Sequence, residues 1–286
     1  DNDATPINLT SFLTGSPQTG GTWAATGTGT GGTLVGGIYT PAIGATTRTF
    51  EYTITGTAPC VTDKSTVTVT IVPKADAGID ASKTVCETDT TPINLFNLLT
   101  GTPQTGGIWT ATGTGTGGTL VGGIYTPAIG ATTRTFEYKV TGTTPCGDDI
   151  SVVTINVLVQ PNAGIDGSTT VCDNDATPIN LTSFLTGSPQ TGGTWAATGT
   201  GTGGTLVGGI YTPTIGATTR TFEYKVSGTS PCIDDTSIVT VNIIPKANAG
   251  IDASKTVCEN DTAPINVFNL LTGTPQLCGT WTATGT

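Results

Sequence analysis

The chain has 286 residues and a formal net charge of −10, with only ten Lys and Arg residues. This charge makes nucleic acid and anionic membrane surfaces unsuitable partners. The sequence contains no His, which removes the commonest general base and the commonest transition-metal ligand, and we expect no enzymatic activity and no bound cofactor. No apolar run approaches the roughly 20 residues of a membrane helix, so we expect no membrane insertion by these residues. The abundance of Thr and Gly, with few helix-forming residues, predicts an all-β protein.

The sequence repeats itself with a period of 86 residues. Three sets of residues keep this spacing: Trp23, Trp109, Trp195 and Trp281; Cys60, Cys146 and Cys232; Cys86, Cys172 and Cys258. A module of this length can bury a modest core of its own, so we expect separate domains joined by short linkers rather than a continuous solenoid. We predict four modules, of which the first lacks its N-terminal part and the last its C-terminal part: 1–73, 74–159, 160–245 and 246–286. We expect the chain to be a piece of a longer array.

The first half of the module 74–159 contains short predicted strands. The segment AGIDASKTVC predicts a first strand, and PINLFNLL predicts either a second strand or a single helical turn. The segment GIWTAT predicts a third strand, with Trp109 at the centre of the core. Glycine turns then separate two short strands, GTLVG and GIYTP. We expect Tyr125, which precedes Pro127, to pack at a strand edge rather than to bind sugar.

The second half of the module contains two longer strands. The segment RTFEYKV alternates, so that Phe136, Tyr138 and Val140 face one side of the strand. After the turn TGTTPCGDD, the segment SVVTINVLV is β-branched and also alternates, which predicts an antiparallel hairpin. About seven short strands around one Trp are typical of an immunoglobulin-like sandwich. We therefore predict an all-β tandem array of immunoglobulin-like β-sandwich modules.

One glycine-rich segment resembles a dinucleotide-binding loop. Gly27, Gly29 and Gly32 form the pattern G-x-G-x-x-G, and Glu51 lies about twenty residues beyond it. A dinucleotide site needs a helix to begin at the third glycine. The residues that follow, TLVGGIYTP, contain two glycines, several β-branched residues and a proline, which disfavour a helix. We therefore interpret the segment as a turn between strands.

The cysteines predict disulfide bonds. The absence of His and of any CxxC pair argues against zinc, whereas disulfides suit an oxidising, extracellular setting. Pairing within modules would join Cys86 to Cys146 and Cys172 to Cys232, and we favour it because each module would then close its own loop. Pairing across the junctions is the alternative and would join Cys60 to Cys86, Cys146 to Cys172 and Cys232 to Cys258.

Acidic residues cluster near a module junction. Asp166, Asp173 and Asp175 are candidate calcium ligands, because carboxylates between β-sandwiches can bind calcium and stiffen an array. The alternative is that these side chains cap turns and face solvent, and no twelve-residue calcium loop is present. We assign no other metal site and no catalytic residue.

The order of motifs resembles a known class of modules. These motifs are AGID, TVC, GGxW, GxYTP, TRTFEYKVTG, PC and SVVTINV. They resemble the immunoglobulin-like or PKD-like modules repeated in giant cell-surface proteins of Bacteroidota, including gliding-motility adhesins of the SprB type that the type IX secretion system exports. The resemblance implies an extracellular, bacterial cell-surface location. It also implies a stalk or filament that holds an adhesive tip away from the cell, in surface attachment or gliding.

The resemblance also suggests a modification and an alternative function. The segments DTT at 89–91 and DTA at 261–263 match the O-glycosylation acceptor motif of that phylum, so Thr90 and Thr262 are candidate glycosylation sites. The expected partners are other copies of the repeat in the same chain. Surface glycans and lateral association of chains are further candidate partners. The alternative function is multivalent binding of glycans or proteins, in which the array supplies avidity.

Overall fold

The computed structural model describes residues 4–285, so the ends of the first and fourth predicted modules, 1–3 and 286, lie outside the described residues. Within them the chain is all-β apart from short 3₁₀ helices. It divides into two compact units, Asp1–Val159 and Gln160–Thr286, and the division falls at the predicted boundary between the second and third modules. No helix in the described residues is long and apolar enough to cross a membrane.

The strands recur in the same order in each module. The first module contains β1 Ile7–Asn8, β2 Thr22–Thr26, β3 Thr33–Val35, β4 Ile38–Thr40, β5 Arg48–Ile54 and β6 Asp63–Val69. The second contains β7 Ala81–Cys86, β8 Ile93–Asn94, β9 Ile108–Thr112, β10 Thr119–Val121, β11 Ile124–Thr126, β12 Arg134–Val140 and β13 Asp149–Leu158. The third contains β14 Gly167–Cys172, β15 Ile179–Asn180, β16 Thr194–Thr198, β17 Thr205–Val207, β18 Ile210–Thr212, β19 Arg220–Val226 and β20 Asp235–Ile244. The 3₁₀ helices are Leu9–Phe12, Phe96–Leu98, Leu181–Phe184 and Val267–Leu270.

Each complete module has two sheets. In the second module a four-stranded sheet has the order β7-β13-β12-β9, and a three-stranded sheet has the order β10-β11-β8. The third module repeats both sheets as β14-β20-β19-β16 and β15-β18-β17. Residues of the two sheets pack into one core, since the rings of Tyr125 and Phe136 lie 4.7 Å apart between centroids. This two-sheet arrangement is an immunoglobulin-like β-sandwich, as predicted.

The long hairpin follows the predicted alternation. β12 pairs antiparallel with β13, and Phe136 lies opposite Val153. Phe136, Tyr138 and Val140 are all buried, whereas Lys139 between them is exposed. The period-2 pattern therefore places one face of the hairpin in the core. The segment PINLFNLL forms both predicted structures, a two-residue strand followed by the 3₁₀ helix Phe96–Leu98.

The prediction for the core tryptophan needs correction. Trp109 is only partly buried and packs against the side of the core, and Trp195 does the same in the third module. The fully buried centre is instead Tyr125 with Phe136 and Tyr138. Trp109 lies on β9, an edge strand, so one side of its ring has no neighbouring strand to cover it.

The first strand of each complete module pairs with the last strand, and it does so in parallel. Val153 lies opposite Ala81, and Leu158 lies opposite Cys86. Side chains secure the beginning of this pairing: Ser151 Oγ donates to the Gly78 carbonyl at 2.6 Å. The residues of the third module repeat this bond, with Ser237 Oγ donating to the Gly164 carbonyl at 2.7 Å. Both strands of a module therefore begin at one end of the sandwich and finish at the other.

The fragment of a fourth module is largely exposed. Residues 246–285 contain the 3₁₀ helix Val267–Leu270 and an isolated bridge between Ile251 and Thr272. Trp281, which is equivalent to the partly buried Trp109, is 58 % exposed.

Candidate functional site

An open cleft of the second module lies beside Trp109. The indole of Trp109 stacks on the ring of Tyr138 at 4.8 Å between centroids, and Phe96 meets the same tyrosine edge-on at 5.6 Å. Together with Asn94 and Ile108 these rings line an open cleft of about 620 Å³. An aromatic floor with an amide and backbone groups at its rim can stack against a flat apolar face and donate hydrogen bonds beside it.

A glycine shapes the floor of this cleft. Gly123 has a φ of +81°, and a Cβ added there would lie 2.8 Å from Trp109 Nε1. The equivalent Gly209 has a φ of +86°, and its Cβ would lie 2.7 Å from Trp195 Nε1. Both the backbone conformation and the contact require glycine at this position. The turn after the short strand β10 therefore packs directly against the indole of Trp109, and the turn after β17 packs in the same way against that of Trp195.

The third module has a related cleft with a different lining. Trp195 stacks on Tyr224 at 4.9 Å, and the cleft holds about 500 Å³. Thr182 occupies the position of Phe96, and Gln190 contributes to the wall. The cleft in this module therefore has one aromatic ring fewer and a more polar lining. The sequence shows this difference as NLF at 94–96 and NLT at 180–182. It did not indicate that the side chains of Phe96 and Thr182 line a cleft beside the Trp.

The glycine-rich segment that resembles a dinucleotide-binding loop is hydrogen-bonded by side chains of the same module. In the second module Arg134 Nη1 and the Tyr125 hydroxyl both donate to the Gly117 carbonyl, at 3.1 and 2.9 Å. The Arg134 guanidinium lies over the rings of Tyr125 and Phe136, at 5.7 and 5.5 Å from their centroids. Burial raises the pKa of Tyr125, which keeps its hydroxyl protonated as a donor. In the first module the strands β2 and β3 flank the equivalent loop, so the interpretation as a turn is confirmed.

The three candidate calcium ligands do not come together. Asp166 precedes β14, whereas Asp173 and Asp175 follow it, so the length of that strand separates them. Asp166 Oδ1 accepts from the Ile238 amide at 2.8 Å, and Asp173 Oδ1 accepts from the Lys246 amide at 2.9 Å. Hydrogen bonds from Thr177, first from its hydroxyl and then from its amide, lower the pKa of Asp175. Within residues 4–285 no group of three or more His, Cys, Asp or Glu side chains is arranged to bind a metal.

The candidate glycosylation sites lie on exposed turns. Thr90 is exposed, and the preceding Asp89 accepts from the Thr91 amide at 2.9 Å. Hydrogen bonds from Thr91 lower the pKa of Asp89, so this carboxylate is charged at neutral pH. Thr262 is also exposed, beside Asp261 in the same kind of turn. Both hydroxyls are accessible to a modifying enzyme, and glycosylation there stays a prediction.

The predicted cysteine pairs are not the ones in the structure. Cys86 and Cys232 are disulfide-bonded, whereas Cys146 and Cys172 carry free thiols. The pairs Cys86–Cys146 and Cys172–Cys232 are therefore both wrong. The alternative pairs across the junctions are wrong as well. The free thiol of Cys60 excludes Cys60–Cys86, that of Cys258 excludes Cys232–Cys258, and those of Cys146 and Cys172 exclude the third pair. Cys278 also carries a free thiol.

The parallel pairing of first and last strands explains why the pairs within modules fail. Cys86 lies opposite Leu158, the last residue of β13, whereas Cys146 lies in the turn before that strand. A strand of ten residues is about 30 Å long. A disulfide needs Cα atoms no more than about 7 Å apart, so a module cannot close on its own two cysteines.

Comparisons with known proteins identify only distant structural likeness. No protein-family model and no curated protein matches the chain. Among solved structures, the titin I-band fragment I67–I69 is 12% identical with a TM-score of 0.38, over 80% of this chain and 88% of that one. Human protocadherin-24 EC1-2 is 11% identical with a TM-score of 0.35, over 62% of this chain and 99% of that one. Drosophila N-cadherin EC1-4 is 10% identical with a TM-score of 0.29, over 85% and 71% respectively.

Proposed function

We propose that these modules form a non-enzymatic stalk or filament region of a secreted repeat adhesin on a bacterial cell surface. The observation that supports this function is the identity of the buried centres in the two complete modules. Tyr125 and Phe136 are fully buried, and so are their equivalents Tyr211 and Phe222. Copies that repeat a core and its turns suit a role in length and mechanical strength.

On this proposal the modules hold an adhesive tip away from the cell, in attachment or gliding. Other copies of the repeat are the partners along the chain. Lateral contacts between chains belong to the same proposal as a further source of stiffness. Glycans on Thr90 and Thr262 would coat the exposed turns.

Force spectroscopy of the whole chain under reducing conditions tests the mechanical role. We expect two similar extension steps of roughly 250 Å, one for each complete module, since 86 residues extend by about 3.4 Å each less the folded length. As a control, a chain carrying both Phe136→Ala and Phe222→Ala should show weaker steps. Extension without discrete steps would contradict a load-bearing role.

The aromatic cleft favours a second candidate function, multivalent binding of glycans. Trp109 and Trp195 offer partly exposed rings, and the cleft linings contain no charged side chain in either module. A glycan array probed with the whole chain tests this function. Saturable binding that is lost in a Trp109→Ala, Trp195→Ala double variant would support it. The matched control replaces Val121 and Val207, which are exposed valines away from the cleft lining, with Ala.

A further inference from the structure

Three rings of the second module form what we call the aromatic corner: Phe96, Trp109 and Tyr138. Tyr138 is 2 % exposed and forms the floor, whereas Trp109 and Phe96 are only partly buried. The Trp109 ring is tilted by 32° against that of Tyr138, and Phe96 meets the same ring at 81°. Because the two accessible rings differ so much in orientation, they do not form a parallel sandwich. A ligand can lay one flat face on Trp109 and turn a second apolar group towards Phe96.

Hydrogen bonds fix the floor of the corner. The Tyr138 hydroxyl donates to the Gln104 carbonyl at 2.7 Å and accepts from the Gly107 amide at 2.9 Å. The hydroxyl is thus engaged both as a donor and as an acceptor within its own module. Tyr138 therefore serves to position the accessible rings of Trp109 and Phe96.

The residues that line the corner carry no charge. A charged ligand would lose part of its hydration here without gaining an opposite charge. The cleft volume of about 620 Å³ lies within the range of about 300–1,000 Å³ that is typical of small-molecule sites. The site therefore favours a small, neutral ligand.

Polar groups at the rim are available to such a ligand. Asn94 Oδ1 accepts from the Phe96 amide at 3.1 Å. Within the part of the chain that the structure describes, Asn94 Nδ2, the Thr105 hydroxyl and Trp109 Nε1 make no hydrogen bond. All three groups belong to residues that line the cleft. The ligand should therefore combine an apolar face with hydroxyl groups around its edge.

The third module lacks one ring of this arrangement. Trp195 stacks on Tyr224 at 4.9 Å, but Thr182 lines the cleft where Phe96 does in the second module. In the sequence, successive modules carry at this position Thr10, Phe96, Thr182 and Phe268. A ligand that needs both accessible rings would therefore be bound by alternate modules.

We propose that the aromatic corner of the second module binds a neutral hexopyranose and that Phe96 determines this specificity. The inference rests on the second candidate function, glycan binding, and names the ligand class and the module that binds it. A pyranose ring with equatorial hydroxyl groups has a flat C–H face, which packs on the Trp109 indole. The hydroxymethyl group beside the ring packs against Phe96. The hydroxyl groups at the ring edge bind the polar groups of the rim.

Titration of the whole chain with two neutral trisaccharides tests the proposal. Cellotriose carries a hydroxymethyl group on each sugar, whereas xylotriose has the same linkage and ring hydroxyl groups without it. The indole N–H signal of each tryptophan in NMR spectra, assigned with Trp109→Phe and Trp195→Phe, reports on its own module. We expect cellotriose to shift the Trp109 signal at about 3- to 10-fold lower concentration than the Trp195 signal, the typical worth of one aromatic contact. Xylotriose should shift both signals at similar concentrations.

Replacement of the distinguishing ring provides the matched variants. Phe96→Thr should weaken the cellotriose response of Trp109 by about 3- to 10-fold and leave its xylotriose response unchanged. Phe12→Thr is the control, because Phe12 of the first module is 61 % exposed, and it should change neither response. Replacing residues 182–184 with the sequence FNL should strengthen the cellotriose response of Trp195 by a similar factor.

The outcomes separate this inference from glycan binding in general. Equal cellotriose responses of Trp109 and Trp195, an unchanged response in Phe96→Thr, or no gain from FNL at 182–184 would refute the role of Phe96. Loss of both trisaccharides in Phe96→Thr would assign that ring to folding and overturn its role in specificity. A Trp109 signal that responds only to choline or glucuronic acid would overturn the neutral ligand class. If cellotriose leaves Trp109 unshifted the inference fails, and glycan binding fails with it only if the glycan array is also negative.

Discussion

The second and third modules share a core but differ where the chain crosses between their sheets. The second module has the 3₁₀ helix Phe96–Leu98 and an Ala81 at the start of its first strand. The third has the longer helix Leu181–Phe184 and a Gly167 at the equivalent position. A Cβ on Gly167 would collide with the Phe184 carbonyl.

This difference shows that the residue at the start of the first strand is matched to the 3₁₀ helix of the same module. We call such a combination a matched set: Ala81 with Phe96–Leu98, and Gly167 with Leu181–Phe184. In the third module the Phe184 carbonyl, in the last residue of the longer helix, lies against the first strand, and only glycine leaves room for it. In the second module the aromatic residue lies two positions earlier, at Phe96, where it packs on Tyr138 beside the cleft. Exchanging one member of a set without the others should therefore cost stability.

The largest expected loss of stability comes from truncating the buried phenylalanine that the cores of the two modules share. Phe136→Ala and Phe222→Ala should each destabilise their own module by about 3–5 kcal/mol, because both rings are fully buried. Hydrogen exchange of the β12–β13 and β19–β20 peptides measures each module separately. Val121→Ala, at a side chain that is 74 % exposed, is the control and should change little. Unequal losses in the two modules would show that their cores are not equivalent.

A smaller effect should separate the modules. Gly167→Ala should destabilise the third module by about 1–3 kcal/mol, because the Phe184 backbone must move. Ala81→Gly should cost the second module only about 0.5–1 kcal/mol, the ordinary cost of glycine in a strand. Hydrogen exchange of β14 and β7 measures the two losses. Replacing residues 182–184 with the sequence FNL should rescue Gly167→Ala, and absence of rescue would refute the matched-set explanation.

The smallest expected effect is again common to both modules. Lys139 and Asp148 lie 2.7 Å apart, and Lys225 and Asp234 lie 2.6 Å apart. The lysine hydrogen bond, followed by an amide bond from Gly142 or Gly228, lowers the pKa of each Asp below its ordinary 3.8. A carboxylate whose pKa is lower in the folded than in the unfolded state stabilises the fold at pH values above its unfolded-state pKa. This stabilisation is lost as the pH falls through the folded-state pKa.

Urea denaturation at pH 7 and pH 3 measures this contribution. The midpoint of the unmodified chain should fall slightly on acidification, and Asp148→Asn and Asp234→Asn should each remove a similar part of that fall. The effect is small because both pairs face solvent. A fall that is unchanged in both variants would mean that other carboxylates carry the acid sensitivity.

Local patterns in the sequence were sufficient to predict the hairpin and the turns. The alternation around Phe136 and Tyr138 depends on neighbouring residues only, and so does the interpretation of Gly27, Gly29 and Gly32 as turn residues. The parallel pairing of β7 with β13 joins residues 72 positions apart, as Ala81 and Val153 show, and no local pattern reports it. The wrong cysteine pairs followed from that missing information.

The position of Trp109 was unpredictable for a related reason. An aromatic residue within an apolar strand is typical of a core, but the core volume is filled by Tyr125 and Tyr138 from other strands. The edge location of β9 and the close approach of Gly123 then leave the indole partly exposed at a cleft. The repeated aromatic cleft could be recognised only after all three segments were placed.

The parallel pairing of first and last strands also fixes how a module resists pulling. A force applied at the start of β7 and the finish of β13 acts along both strands in opposite directions. It loads the residue pairs from Ala81–Val153 to Cys86–Leu158 in shear, all at the same time, rather than peeling them apart one after another. Resistance in shear requires several hydrogen bonds to break together. An otherwise small sandwich is thereby given a direction in which it is strong.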